Sequence, residues 1–195
     1  EAFKWYATIL GADVQVFDDH NEATHMAPYM GGKPRKKRAI MGINMKGGSG
    51  YEIWQHTEYV SKPSINPILL GDLGIIMARV KSKHIQNSFD FLEQKGVSIL
   101  TSIIKDPGGV KCFYITDPYG NLIQVREFDS WFNSKNATIG GQYGAFLGVT
   151  DIDVSLKLYS EILGYDKVIY DKSGKFDDLK GLPNGEGKFR RVLLA

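Results

Sequence analysis

The spacing of apolar residues predicts three short amphipathic helices along the chain. Apolar residues recur at helical spacing within residues 3–11, 87–96 and 156–164. Each segment ends at a glycine, namely Gly11, Gly96 or Gly164, and glycine is the usual residue for the left-handed end of a helix. After each glycine the apolar period changes from about 3.6 to about 2, which is typical of strands. Each segment is therefore predicted to be a helix that stops at its glycine and leads into strands.

The first and third helices are copies of one pattern. Residues 3–11 and 156–164 share Lys, Tyr, Ile, Leu and Gly, which is five of nine positions, at an offset of 153 residues. Strands are predicted at 13–17, 38–44 and 51–56, at 73–80, 97–104, 111–116 and 121–127, and at 143–149, 167–171 and 188–194. An internal repeat of this kind indicates one supersecondary unit used several times. The predicted unit is β-α-β-β-β.

Three modules follow from this repeat. Module one covers residues 1–70 and lacks its opening strand, module two covers residues 71–130 and is complete, and module three covers residues 143–195 and stops before its last strand. The intervening stretches 57–71, which contains Pro63 and Pro67, and 129–142 show no sustained period. We therefore place the module boundaries in these two stretches.

Composition and charge narrow the classes of partner. Twenty-four basic and 22 acidic residues give a formal charge of +2, which is too balanced for the electrostatic field of a nucleic-acid binder. No stretch approaches the roughly 18 consecutive apolar residues of a membrane span. Cys112 is the single cysteine, which favours a reducing compartment and hence the cytoplasm. We expect neither a nucleic acid nor a membrane as partner.

The most specific motif is Asp117-Pro-Tyr-Gly-Asn-Leu-Ile-Gln-Val125. Pro118 sets φ at the first turn position, and Gly120 and Asn121 tolerate positive φ, so the motif predicts a tight hairpin. Together with the repeat, it resembles the hairpin between the third and fourth strands of the vicinal oxygen chelate superfamily. That superfamily includes glyoxalases, bleomycin resistance proteins and extradiol dioxygenases. Residues 149–164 resemble its first strand and the helix that follows.

The resemblance implies both a fold and a place for a ligand. In this superfamily two βαβββ modules pair so that their curved sheets enclose a cleft, and a metal ion lies in the cleft. For this chain the resemblance implies an α+β fold of curved mixed sheets paired into an open barrel, with a cleft between modules one and two. Module three would then pair with a fourth module or with a second subunit, because a lone curved sheet leaves its inner face exposed.

The resemblance also implies positions for metal ligands, which are usually His on the first strand and Glu on the fourth strand of each module. Glu52 falls at the carboxylate position of module one, and Gln124 falls at that of module two. The histidine positions of modules two and three hold Ile75 and Gly144, which cannot bind a metal. The implied site is therefore depleted, with Glu52 and Gln124 as ligands of one divalent ion, Zn, Ni, Mn or Fe. Glu52 is the implied catalytic residue, as metal ligand or as general base.

Side chains that alternate along strands predict the lining of the cleft. The predicted lining includes Glu52 and Ile75, and it combines apolar and aromatic walls with an amide, an imidazole and two guanidinium groups. This combination suits a small anionic or polar ligand. The predicted substrate-binding residues are Trp54, His56, Met77, Arg79, Leu122, Gln124 and Arg126.

Three functions remain open on these residues. The first is a glyoxalase-like or dioxygenase-like enzyme, a metal-dependent lyase or oxygenase in which Arg79 and Arg126 hold an anionic substrate. The second is a metal-free module that sequesters a small molecule, as bleomycin-resistance relatives do, and Ile75 and Gln124 favour it. The third is a ring-cleaving extradiol dioxygenase, which requires two histidines and one glutamate around iron. Ile75 at a histidine position counts against this third function.

Overall fold

The structure, a computed structural model, describes residues 1–60, 62, 64–133 and 135–195. The predicted linker residue Pro63 lies outside the described residues. The chain divides into two compact units. Unit one consists of Glu1–Pro67 and Ser130–Gln142, and unit two consists of Ile68–Asp129 and Tyr143–Ala195. Each unit is therefore built from two separate stretches of the chain.

Unit one combines a helix with a three-stranded antiparallel sheet. Its elements are α1 (Ala2–Leu10), β1 (Val14–Glu22), β2 (Lys36–Ile43) and β3 (Gly50–His56), with a 3-10 helix over Thr24–Tyr29. The strands follow the order β1-β2-β3. β1 is longer than the predicted 13–17, because Asp18 pairs with Arg38 of β2 at 2.6 Å and continues the ladder among polar residues.

The end of α1 is fixed by a buried amide. Gly11 has a φ of 68°, as expected for the glycine that ends the helix, and a Cβ at this position would lie 2.8 Å from Asn44 Nδ2. That nitrogen donates hydrogen bonds to the carbonyl oxygens of Leu10 and Ile139 at 2.8 and 3.3 Å. Asn44 therefore joins α1 to the segment 130–142 within unit one.

Unit two contains most of the strands. Its elements are β4 (Gly74–Ser82), α2 (Ile85–Gln94), β5 (Ser98–Ile99), β6 (Ile104–Lys105), β7 (Lys111–Thr116), β8 (Leu122–Glu127), β9 (Ile139–Gly148, with 143–148 in unit two), α3 (Ile152–Lys157), β10 (Val168–Gly174) and β11 (Phe189–Leu194). The larger sheet has the order β5-β7-β8-β4-β9, with β6 on β7. β4 and β8 are parallel, whereas β7 and β8 are antiparallel. β10 and β11 form an antiparallel pair.

The interior of unit two lies between the mixed sheet and the segment that contains Phe176 and Leu179. These two side chains pack in one apolar cluster with Met77, Tyr114 and Leu122 of the sheet. α2 packs on β7 and β8 from the opposite face, since its Phe89 ring lies 5.1 Å from that of Phe113, the strand neighbour of Tyr114. Module two thus has apolar cover on both faces, and module three supplies one of the two covers.

The hairpin predicted from the Asp117 motif is confirmed. The Asp117 N–H donates to the Asn121 carbonyl at 3.1 Å, and the Gly120 N–H donates to the Asp117 carbonyl at 3.1 Å. Gly120 has a φ of 86°, a conformation that glycine adopts without strain. This turn sets the register of β7 and β8, so that Tyr114 lies opposite Gln124.

The single strand predicted at 97–104 is wrong, because the structure breaks it into β5 and β6. The Leu100 N–H donates to the Tyr114 carbonyl at 2.8 Å, as in a ladder. The Tyr114 N–H, however, donates to the Thr101 side-chain oxygen at 3.2 Å. A side chain thus replaces the backbone acceptor and interrupts the strand.

The α+β class predicted from the repeat is confirmed, with curved mixed sheets that do not close into a barrel among the described residues. All three predicted helices are present, although the third begins earlier, after Asp151, whose side chain accepts a hydrogen bond from the Val154 N–H at 3.0 Å. It continues as a wider π-helical turn over Leu158–Ile162. None of the described helices has the length and apolar character that crossing a bilayer requires.

Candidate functional site

A continuous chain of polar side chains crosses the interior of unit two. At its centre, the fully buried Gln124 accepts a hydrogen bond on Oε1 from Arg79 Nε at 2.8 Å. Gln124 Nε2 donates to the Tyr114 hydroxyl oxygen at 2.9 Å, and that hydroxyl donates to Asp178 Oδ2 at 2.9 Å. Arg191 binds the same carboxylate through both terminal nitrogens, at 2.7 and 3.0 Å. We call these five residues, with Arg126 and Asp106, the polar chain.

The second ion pair of the polar chain lies at its other end. Arg126 Nε donates to Asp106 Oδ2 at 2.6 Å, and the same oxygen is 3.9 Å from Arg79 Nη2. Asp106 Oδ1 accepts from two backbone N–H groups of the following turn, at 2.9 and 3.0 Å. Both oxygens of this buried carboxylate therefore have donors, which a buried charge requires.

Aromatic rings cover two of the guanidinium groups. Arg79 Cζ lies 5.2 Å from the ring centre of Tyr143 and 5.5 Å from that of Phe146. Arg191 Cζ lies 4.6 Å from the ring centre of Phe176 and 5.4 Å from that of Phe146. These distances are in the range of cation–π contacts, which stabilise a cation most when it is withdrawn from water.

Burial and neighbouring charges shift pKa values in opposite directions within the polar chain. Burial disfavours the charged form of Arg126, but the hydrogen bond and charge of Asp106, together with Tyr143, outweigh it, and the pKa of Arg126 is raised. Burial also disfavours the charged form of Arg191, but the hydrogen bond and charge of Asp178, together with neighbouring tyrosines, outweigh it and raise the pKa of Arg191. Burial first, and the charge of Asp178 in addition, raise the pKa of Tyr114 well above its usual value. At neutral pH the two arginines are therefore charged and Tyr114 keeps its proton.

The structure places five of the predicted site residues in unit two. All five are buried, with at most 8% of their surface exposed. They are Met77, Arg79, Leu122, Gln124 and Arg126. The two apolar residues belong to the cluster around Phe176, and the three polar residues belong to the polar chain. Unit two therefore brings these five residues together beneath side chains of module three.

The other predicted site residues, Glu52, Trp54 and His56, lie on β3 in unit one. The rings of Trp54 and His56 are 4.3 Å apart, which agrees with a common face, and Lys37 Nζ lies 5.9 Å from the Trp54 ring. Glu52 is exposed, and its partner in the β2–β3 register is Met41. A cleft shared by these residues with module two stays a prediction from the resemblance.

The surroundings of Gln124 do not fit a divalent cation. The carbonyl oxygen that would bind the ion accepts a hydrogen bond from Arg79 at 2.8 Å, and the positive charge of Arg79 would repel a cation. Ile75 is 73% exposed, and a Cβ at Gly144 would lie 3.5 Å from Arg79 Cδ. Among the described residues, no three His, Cys, Asp or Glu side chains are grouped closely enough to hold a metal ion. Arg79 thus takes the place beside Gln124 that the resemblance assigns to a metal.

An open hollow of about 440 Å³ adjoins the polar chain in unit two. Asp106 and Asp178 reach its lining from the polar chain, and Phe176 supplies an apolar part of it. Three lysines also line it, namely Lys105, Lys172 and Lys175. Asp177 lies there as well, so the lining holds three lysines and three aspartates.

Four members of the polar chain were not predicted from the sequence, namely Asp106, Tyr114, Asp178 and Arg191. Tyr114 had a usable signal, because the predicted hairpin turn alone sets it opposite Gln124. Asp178 had none, since it reaches Tyr114 only through tertiary packing, across 64 residues, and Arg191 joins the polar chain only through Asp178.

Comparison with known proteins bears on the fold. No protein-family model matches the chain, and no curated protein matches it. The chain is similar to the solved structure of a glyoxalase family protein from Bacillus cereus, with 14% sequence identity and a TM-score of 0.53, over 65% of this chain and 87% of that chain. This likeness shows that the chain has the glyoxalase fold. The fold expected from the vicinal oxygen chelate resemblance is thereby confirmed.

Two further solved structures resemble the chain more distantly. One is an integron cassette protein from the mobile metagenome of V. cholerae, with 17% identity and a TM-score of 0.33, over 65% of this chain and 84% of that chain. The other is a virulence protein from Salmonella typhimurium, with 18% identity and a TM-score of 0.34, over the same shares of the two chains.

Proposed function

We propose that the chain is a metal-independent binding module of the glyoxalase fold, which holds a small anionic molecule in unit two. The observation that carries the proposal is the hydrogen bond of 2.8 Å from Arg79 Nε to Gln124 Oε1. It gives a fixed arginine to the position where the fold's enzymes would need an ion. This is the metal-free function that Ile75 and Gln124 already favoured.

The charge of the polar chain supports an anionic ligand. The polar chain holds three arginines against two aspartates, all with at most 9% of their surface exposed. An excess of buried positive charge raises the potential of the adjoining surface. The hollow beside it, about 440 Å³, has the volume usual for small-molecule sites.

A metal-dependent lyase or oxygenase with Glu52 as its catalytic residue remains a prediction from the resemblance. The cytoplasmic location remains a prediction from Cys112. The contacts of the described residues do not favour that enzyme. Glu52 is exposed, and no cluster of candidate ligands is described around it. An extradiol dioxygenase would need two histidines beside the glutamate, and the surroundings of Gln124 supply neither.

Metal loading of the full chain tests this proposal. The chain is equilibrated with Zn²⁺, Ni²⁺, Mn²⁺ or Fe²⁺ and desalted, and its metal content is measured by mass spectrometry. Thermal unfolding is then followed with and without EDTA. We expect substoichiometric metal and an unchanged Tm.

The matched variants are Glu52→Gln and Gln124→Ala, each checked for folding by circular dichroism. One metal ion per wild-type chain, lost in either folded variant, would contradict the proposal and support the lyase or oxygenase.

A further inference from the structure

Three lysines and three aspartates line the hollow in unit two, and the two sets differ in their partners. Lys105, Lys172 and Lys175 line it and are exposed. In the part of the chain that the structure describes, none of the three forms an ion pair. Lys172 Nζ donates one hydrogen bond to the Pro107 carbonyl at 2.7 Å, and an ammonium group has two further donors.

The aspartates of the same lining already have cationic partners of their own. The pairs are Asp106 with Arg126 at 2.6 Å, Asp178 with Arg191 at 2.7 Å, and Asp177 with Lys180 at 2.7 Å. Two of these pairs are buried, so water and salt screen them little. The lysines are therefore the groups of the hollow that remain available to an incoming anion.

From this arrangement we infer that the hollow binds the phosphate group of a small phosphorylated molecule. Lysine ammonium groups are compact charges that bind phosphate oxygens well. A phosphate monoester carries close to two negative charges and three terminal oxygens, which matches three lysines better than a carboxylate does. This inference rests on the proposed function and specifies its ligand class.

The remainder of the ligand would lie against the apolar part of the hollow. Pro107 and Phe176 contribute this part of the lining. A volume of about 440 Å³ accommodates a small molecule. A nucleic acid offers the same phosphate chemistry, but the chain's formal charge of only +2 does not favour it.

Phosphate titration of the full chain tests the inference. Inorganic phosphate and pyrophosphate are titrated by calorimetry in EDTA, with sodium chloride keeping the ionic strength constant. The test variant is Lys105→Gln/Lys175→Gln, whose two side chains are exposed and make no described ion pair. The control is Lys157→Gln, an exposed lysine of α3 outside the hollow. We expect saturable binding that weakens about tenfold in the double variant, as loss of charged hydrogen bonds predicts, and is unchanged in the control.

Three results would overturn the inference: no saturable binding of either probe, equal weakening in the control, or binding of a short single-stranded oligonucleotide without binding of phosphate. Failure of the proposed function is distinguishable. Stoichiometric metal lost on Gln124→Ala contradicts that function whatever phosphate does. Absence of phosphate binding in a chain that takes up no metal contradicts only the present inference.

Discussion

Glu52 of unit one and Gln124 of unit two are predicted to occupy corresponding positions of the repeated module, yet their environments are opposite. Glu52 is exposed on β3, with Met41 as its partner in the sheet register. Gln124 is fully buried on β8, opposite Tyr114, with both ends of its amide hydrogen-bonded. The repeat thus predicts the strand on which each residue lies and its position along that strand. The segments that pack over the strand determine the contacts of the side chain.

The comparison also explains why an amide suits the buried position. Gln124 accepts from Arg79 and donates to the Tyr114 oxygen, which leaves the Tyr114 proton for Asp178. An ionised glutamate accepts hydrogen bonds but donates none, so it would leave the Tyr114 oxygen without its donor. The neutral side chain of Gln124 therefore completes the hydrogen bonds of the polar chain.

Of the variants that test this contrast, removal of Asp178 should have the largest effect on the free energy of unfolding. Asp178→Ala leaves Arg191 buried without its carboxylate, which costs about 3–5 kcal/mol of the free energy of unfolding. Asp178→Asn keeps an acceptor for Tyr114 and should fall between this variant and the wild type. Urea unfolding followed by circular dichroism measures both.

The matched control for these variants is Asp171→Ala, because Asp171 pairs with the exposed Arg190 at 2.8 Å and should leave stability unchanged. If Asp178→Ala were as stable as this control, the buried ion pair would have no structural weight and the contrast would fail.

Substitution of Gln124 should have the next largest effect. Gln124→Leu leaves Arg79 Nε without its acceptor and the Tyr114 oxygen without its donor, which costs about 2–3 kcal/mol. Glu52→Leu and Glu52→Gln, at the corresponding exposed position, should leave the free energy of unfolding unchanged. Equal losses in the free energy of unfolding at the two positions would show that the difference in burial has no energetic consequence.

The hydroxyl groups of Tyr51 and Tyr114 can be compared in the same way, and here we expect a small effect on the free energy of unfolding. The Tyr114 hydroxyl has two partners, whereas the buried Tyr51 hydroxyl makes no hydrogen bond to a described residue. Tyr51→Phe removes an unsatisfied polar group, so we expect the free energy of unfolding to rise by about 1 kcal/mol or less at neutral pH.

The pH dependence of the same variant has a definite sign. Burial raises the pKa of Tyr51, so the unfolded chain loses this proton first, near its ordinary pKa of about 10. Stability that depends on the protonated Tyr51 is present below that pH and is lost as the pH rises through the folded pKa. The wild type should therefore lose more stability than Tyr51→Phe above about pH 10. A difference between the two that stays constant with pH would contradict this.

Local features were predicted well because they depend on residues close in sequence. The glycines that end the helices and the Asp117 hairpin are of this kind, and the structure gives Gly11, Gly96 and Gly164 positive φ angles. The strand predicted at 97–104 was wrong because Thr101 competes as a side-chain acceptor, which periodicity does not reveal.

The site was predictable only in part. Alternation along the strands indicated that Arg79, Gln124 and Arg126 belong to one lining, and β4 and β8 do place Arg79 beside Gln124 in register. Asp178 and Arg191, which continue the polar chain beyond Tyr114, come from module three, and no local pattern links them to β7. Tertiary packing decides which module covers a strand. It therefore also decides whether a side chain of that strand contacts solvent, a ligand or an arginine.

The most direct measurement of the central claim is nuclear magnetic resonance of the isotope-labelled full chain in the presence of Mn²⁺, a paramagnetic ion that broadens signals near its binding site. If Arg79 holds the oxygen of Gln124, the side-chain signals of both residues keep their intensity, and the Arg79 Nε–H exchanges slowly with solvent. Selective broadening of the Gln124 amide and the Arg79 side chain by Mn²⁺, with the Arg79 broadening lost in Gln124→Leu, would contradict the account.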